Sequence, residues 1–232
     1  MTTYRIDFMG DSAIIIQLHA EFKQIFSLIR HVTRVIENTL GDEILDIVPA
    51  YQSITLYYPP LTLYREKLLE IDHLVKMALQ HNSSTSSPSR TLQIPVCYEE
   101  KYAIDLPYLC KELNLSSSQF ILQHTEPIYH VQFIGFTPGF PFLSGLPATL
   151  AYPRKKTPRL KVPAGSVGIA GPQTGIYPEA SPGGWQIIGR TPLKLFNINQ
   201  SPPSFFRPGD AVQFTSISSS EFRSWSLNEL NN

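Results

Sequence analysis

Between residues 131 and 190 the chain places 10 of its 13 glycines and 9 of its 20 prolines. No helix of ordinary length tolerates that density, because proline removes a backbone donor and glycine leaves a helix entropically weak. The stretch must be built from short strands and tight turns, which points to an all-β barrel or sandwich. Strands are expected at Ser166–Ala170, Trp185–Gly189, Leu193–Asn197 and Ala211–Thr215, with Arg207-Pro208-Gly209-Asp210 turning into the last of them. Residues 218–232 are polar and read as a frayed tail.

The chain ahead of this segment has a different texture. Tyr4–Phe8 and Ser12–Leu18 alternate like strands around a Gly10-Asp11 turn. Phe22, Ile25, Phe26, Ile29, Val32, Val35 and Ile36 recur at three- and four-residue steps, the mark of an amphipathic helix. Ile44–Val48 and Ser53–Tyr58 read as strands and Leu61–Gln80 as a second helix, which gives the order ββαββα over residues 1–80. Residues 81–90 are Ser-rich, carry no periodicity and read as a linker. From residue 91 a strand (Leu92–Val96), a short helix (Leu106–Leu113), a helix capped by Ser116 or Ser117, and a strand (Tyr129–Phe136) lead into the Gly/Pro-rich region. The fold class is α+β: a small N-terminal α/β domain, then an all-β barrel or sandwich domain over residues 91–217.

Charge narrows the function classes. Nineteen basic residues balance nineteen acidic ones, so the protein as a whole exerts no electrostatic hold on nucleic acid. No apolar run approaches the ~18 residues that span a bilayer, and the N-terminus lacks the pattern of a signal peptide. Cys97 and Cys110 are the only cysteines and read as reduced thiols of a cytoplasmic protein. Charged residues amount to 16%, below the usual ~25%, which suggests that part of the surface is covered by a partner. The apolar run Phe136–Leu143 is a candidate for that surface. Residues 130–232 carry nine basic and four acidic residues, and Glu179 is the only acid between Pro127 and Gly209. The C-terminal domain is thus electropositive and suited to a small anion or an acidic partner face.

Several catalytic templates are absent. The chain has no G-x-x-x-x-G-K-[ST] phosphate loop, and Gly165, Gly168 and Gly171 do not have dinucleotide-fingerprint spacing. Ala164-Gly165-Ser166-Val167-Gly168 echoes a nucleophile elbow, but no histidine follows residue 130, as that arrangement requires. His124, Glu126 and His130 have metal-ligand chemistry without a zinc spacing, and no metal site is expected. His124 is a candidate for substrate contact or proton transfer, since imidazole titrates near neutral pH. The run from Arg154 to Lys161 holds five basic residues among prolines, either a solvated loop or a stiff clamp for carboxylate or phosphate. Gly171–Pro178 offers the Gln173 amide and the Thr174 and Tyr177 hydroxyls, as a hairpin connection or as ligand contacts. Glu179 is a general-base candidate or an ion-pair partner.

The motifs Phe133–Leu143, Pro153–Gly171, Gln173–Pro178 and Ser181–Leu193, taken in order, resemble the family of the 5-oxoprolinase B subunit, also known as allophanate hydrolase subunit 1 and as the sporulation kinase inhibitor KipI. The resemblance implies that the C-terminal domain is a cyclophilin-like β-barrel. It implies a non-autonomous enzyme component that works with a homologue of the C subunit (KipA-like) and, functionally, with the A subunit. The activity implied is ATP-dependent opening of the lactam 5-oxoproline to glutamate, with ATP and magnesium used at the level of the complex. Two alternatives stay open: regulation of a sensor histidine kinase, and a role in processing allophanate or urea. Under the leading reading, Arg154 and Arg159 hold a carboxylate or phosphoryl group. Gln173, Thr174 and Tyr177 orient the amide with Ser166 beside them, Gly139 and Gly165 allow close backbone approach, and His124 and Glu179 are the catalytic candidates.

Overall fold

The computed structural model describes residues 2–20, 22–60, 65–80 and 90–230. The chain divides into two compact units, Met1–Ser87 and Pro88–Asn232, each with a core of its own. The Ser-rich segment expected to be a linker lies, apart from Arg90, outside the described residues.

In the first unit, β1 (Thr3–Phe8), β2 (Ala13–His19), α1 (Phe22–Leu40), β3 (Asp46–Pro49), β4 (Ser53–Tyr57) and α2 (Arg65–Gln80) follow the expected order. The strands form an antiparallel sheet in the order β1-β2-β4-β3. Period-two alternation brings Ile14, Ile16 and Leu18 of β2 and Ile54 and Leu56 of β4 to one face. The apolar stripe of α1 (Ile25, Ile29, Val32 and Ile36) and Ile71, Val75 and Ala78 of α2 cover it.

The second unit contains β5 (Thr91–Cys97), α3 (Leu106–Glu112), α4 (Ser117–Thr125), β6 (Tyr129–Ile134), β7 (Pro141–Ser144), β8 (Arg159–Val162), β9 (Ser166–Ala170), β10 (Gln173–Ile176), β11 (Ser181–Gly183), β12 (Gln186–Arg190), β13 (Ala211–Ile217) and α5 (Ser219–Leu230). Seven strands close into a barrel in the order β10-β7-β6-β13-β5-β12-β9, and β8 and β11 form a separate two-stranded ribbon. The parallel pair β5–β13 runs in register from Thr91 opposite Ala211 to Cys97 opposite Ile217. At its start Arg90 pairs with the buried Asp210 carboxylate. Inward-facing Ile94, Val96, Val131, Leu143, Val167, Ile169, Ile188 and Phe214 fill the interior. Ser116 caps α4 through a reciprocal box with Gln119. Cys97 and Cys110 are free thiols.

Three expectations need correction. Leu193–Asn197 is not a strand; Phe196 makes one isolated bridge to Ser204, because proline-rich chain on both sides offers no donor row for a ladder. Gln173–Ile176 is the strand β10, not a turn. The C-terminal segment is the helix α5, not a frayed tail. The Ser218 backbone N–H and hydroxyl both donate to the Glu221 carboxylate while the Glu221 N–H donates back to Ser218 Oγ, and Phe222 is buried against the Tyr102 ring at 4.4 Å. The signal for that reciprocal cap lies in Ser218-Ser219-Ser220-Glu221.

Candidate functional site

The hairpin between β6 and β7 supplies the first wall of a pocket. Its loop folds back on itself, the Gly135 N–H donating to Phe140 O and the Phe140 N–H to Thr137 O. This places Phe136 in the left-handed region at φ 69°, a conformation that a bulky residue adopts at a cost of about 1–3 kcal/mol. Phe136 stays 64% exposed and turns its ring edge-on to Phe140 and Tyr177. Phe140 and Leu143 are buried, so the apolar run expected to form a surface contributes chiefly Phe136 and Pro138 to the exterior.

The opposite wall comes from Gly183, Gly184 and Trp185. The Trp185 ring meets Phe140 at 5.4 Å and Phe142 at 5.8 Å. The Arg154 guanidinium lies 5.6 Å over its face, within cation–π range. A side chain at Gly183 would collide with the Tyr177 hydroxyl; glycine there lets the phenol reach the pocket. Burial pushes the Tyr177 phenol above its usual range, while its hydrogen bond with the Trp185 backbone and the Arg154 and Arg159 charges pull the other way. It is therefore a neutral hydrogen-bonding hydroxyl at physiological pH. Phe136, Phe140, Phe142, Arg154, Tyr177 and Trp185 line a cavity of about 260 Å³. Arg154 makes no ion pair among the described residues, so its charge is available to an anion.

Arg159 is placed differently from the expectation. Its Nη2 donates to Asp105 at 2.5 Å and its Nη1 to Trp185 O at 3.4 Å. Asp105 is buried and also accepts from Lys155 Nζ at 3.4 Å and from the Ile187 N–H at 2.7 Å. An anion of this same chain and a backbone carbonyl thus share the Arg159 fork. Nothing in the sequence marks Asp105, a lone acid ahead of a proline-started helix.

The remaining candidates fall into other places. Gly165 and Glu179 line a second cavity of about 420 Å³, together with Arg190, Lys194, Phe196 and Phe222. Gly165 is held at φ 78°, and a Cβ there would strike Thr191 O. Gly139 abuts Phe196, and Gln173 is half-buried where β10 begins. Ser166, Thr174 and His124 are buried. Thr174 Oγ1 donates to Gly168 O, and the His124 ring lies between Tyr98 OH at 2.8 Å and Thr174 Oγ1 at 3.5 Å while stacking on Phe214. Burial lowers the His124 pKa to about 3, which removes it as a proton carrier near neutral pH. Among the described residues no group of three or more His, Cys, Asp or Glu side chains is gathered to hold a metal, and no helix is long and apolar enough to cross a membrane.

The family model described as "Carboxyltransferase domain, subdomain C and D" matches residues 4–206. The chain is 37% identical to the 5-oxoprolinase B subunit of Bacillus subtilis, covering 96% of both chains. It is 36% identical to that of Escherichia coli O157:H7, over 92% of this chain and 96% of that one. Among solved structures, a conserved uncharacterized protein of Pyrococcus horikoshii is 39% identical with a TM-score of 0.56, covering 94% of this chain and 100% of that one. The Kluyveromyces lactis urea amidolyase superposes with a TM-score of 0.77 at 18% identity, over 95% of this chain and 15% of that one, a likeness of fold.

Proposed function

The chain belongs to the carboxyltransferase subdomain C and D family and groups with the 5-oxoprolinase B subunits within it, and on that premise we propose that it is the B component of a multi-subunit 5-oxoprolinase. The complex adds water across the lactam C–N bond of 5-oxoproline, giving glutamate, and couples this to ATP hydrolysis. This chain binds the substrate and acts with homologues of the A and C subunits, in the cytoplasm.

The observation that carries the reading is the aromatic cavity with a single guanidinium at its edge. Its size and walls suit a small flat ring bearing one carboxylate. Arg154 pairs with the carboxylate, the Phe136 and Trp185 rings flank the lactam, and the neutral Tyr177 hydroxyl donates to the lactam carbonyl, orienting it. A nucleoside triphosphate with its magnesium does not fit this cavity. It would need several cationic or backbone donors for its phosphates, and the walls here are mainly aromatic. This cavity is therefore assigned to the lactam substrate, and ATP with its magnesium is used at the level of the complex.

The test is reconstitution with the A and C subunit homologues, measuring glutamate released from 5-oxoproline and ATP. The full mixture turns over, and this chain alone does not. Arg154→Ala removes a charge-assisted contact of about 1.5–3 kcal/mol, so the KM for 5-oxoproline rises about tenfold or more while the melting temperature holds. Turnover that is indifferent to omitting this chain, or an unchanged KM in the variant, overturns the proposal.

A further inference from the structure

Asp105 and Arg159 form a joint that ties the second wall of the aromatic cavity to α3. Asp105 precedes α3, and its carboxylate reaches across 54 residues of sequence to Arg159 Nη2. The same carboxylate accepts from the Ile187 N–H, and the Asp105 N–H donates to Ile187 O at 2.9 Å. Arg159 passes the restraint on by donating to Trp185 O. The Lys155 N–H donates to Gly184 O at 2.7 Å, while its ammonium lies 3.4 Å from Asp105. The segment from Gly184 to Ile187, with Trp185 at its centre, is therefore held from one side by a single buried carboxylate and the two cations gathered around it. The segment that leads into β8 with those cations also carries Arg154.

We propose that Asp105 is a positioning residue for the aromatic cavity: through Arg159 and the Ile187 amide it fixes the Trp185 wall and the loop that presents Arg154. The ligand this serves, 5-oxoproline, rests on the reading given under Proposed function; the positioning itself does not. A carboxylate this buried is costly unless its oxygens are paired, and here both are met by donors that belong to the wall or to the basic loop. Asp105 is not among the residues that line the cavity and acts through those partners. It also keeps the Arg159 fork occupied, which leaves Arg154 as the one guanidinium lining the cavity.

Trp185 is its own reporter. The chain has two tryptophans; Trp185 is 4% exposed and Trp225 is 45% exposed. In the full chain carrying Trp225→Phe, emission comes from Trp185 alone. Asp105→Asn keeps an acceptor for the Ile187 N–H but loses the charge that holds Arg159. The expected result is a red shift of Trp185 emission, greater quenching by acrylamide, and an affinity for 5-oxoproline, titrated on the same signal, weaker by about tenfold. Asp105→Glu, which keeps the charge, recovers part of that affinity. Arg159→Gln breaks the joint from its more exposed side and is expected to give the same spectral change; it decides the matter if Asp105→Asn fails to fold. Unchanged emission and quenching in the folded variants overturn the positioning role, whether or not 5-oxoproline binds. If the parent protein does not bind 5-oxoproline but the spectral change appears, the substrate reading fails and the positioning role stands.

Discussion

The buried His124 makes the stability of the barrel unit depend on pH in a way that one substitution can isolate. Its imidazole is enclosed by Tyr98, Tyr129, Phe214 and Thr174, and burial lowers its pKa from 6.5 to about 3. In the unfolded chain the ring takes a proton below pH 6.5; in the folded chain it stays neutral until about pH 3. Protons are therefore bound preferentially by the unfolded state. The stabilisation is fully present above the unfolded pKa and is lost as the pH falls toward the folded one. At about 1.36 kcal/mol per unit, moving from pH 7 to pH 5 costs about 2 kcal/mol from this group. Trp185 and Trp225 both lie in the Pro88–Asn232 unit, so their fluorescence follows that unit in a urea titration. With an m-value of about 2 kcal/mol per molar urea, the midpoint falls by about 1 M between the two pH values. His124→Asn places an amide near the Nδ1 position, keeps a partner for the Tyr98 hydroxyl and cannot titrate. Its midpoint at pH 7 is lower because of lost packing, but the additional fall on going to pH 5 shrinks by about 1 M relative to the parent. Parallel acid shifts in parent and variant would refute the argument, because some other group would then carry the slope.

Gly165→Ala puts a Cβ against Thr191 O in a left-handed backbone, and the barrel unit should lose about 2–3 kcal/mol, seen as a lower urea midpoint. Phe222→Ala removes the side chain that packs on Tyr102; a loss of about 2–4 kcal/mol in the docking of α5 should appear as faster tryptic cleavage at Arg223. Ser116→Ala breaks the reciprocal cap of α4 and should cost about 1 kcal/mol, measured by the same urea titration.

Local pattern was enough to read the first unit, because its strands and helices are the two simple periods written in apolar residues: Ile14, Ile16 and Leu18 alternate, and Ile25, Ile29, Val32 and Ile36 step by three and four. The same logic excluded helices from residues 131–190 and left a barrel or a sandwich, and the motifs of that stretch pointed to the family and, through it, to the barrel. It did not locate β7, β8, β10 and β11 one by one, since strands of three or four residues broken by glycine and proline carry too little alternation to separate from turns. Arg154 and Tyr177 were legible as candidates by residue type, and the structure brings them to one cavity. That His124 is walled in, that Gly165 and Glu179 open on a different cavity, and that Arg159 answers to Asp105 were not legible. Burial and long-range charge pairing arise only when the barrel closes and the basic loop is laid against the segment around Trp185. Sequence thus determined which residues have the chemistry to hold an anion; tertiary structure decided which of them still has a free charge, because a guanidinium that has met a buried carboxylate in its own fold has little left for a ligand.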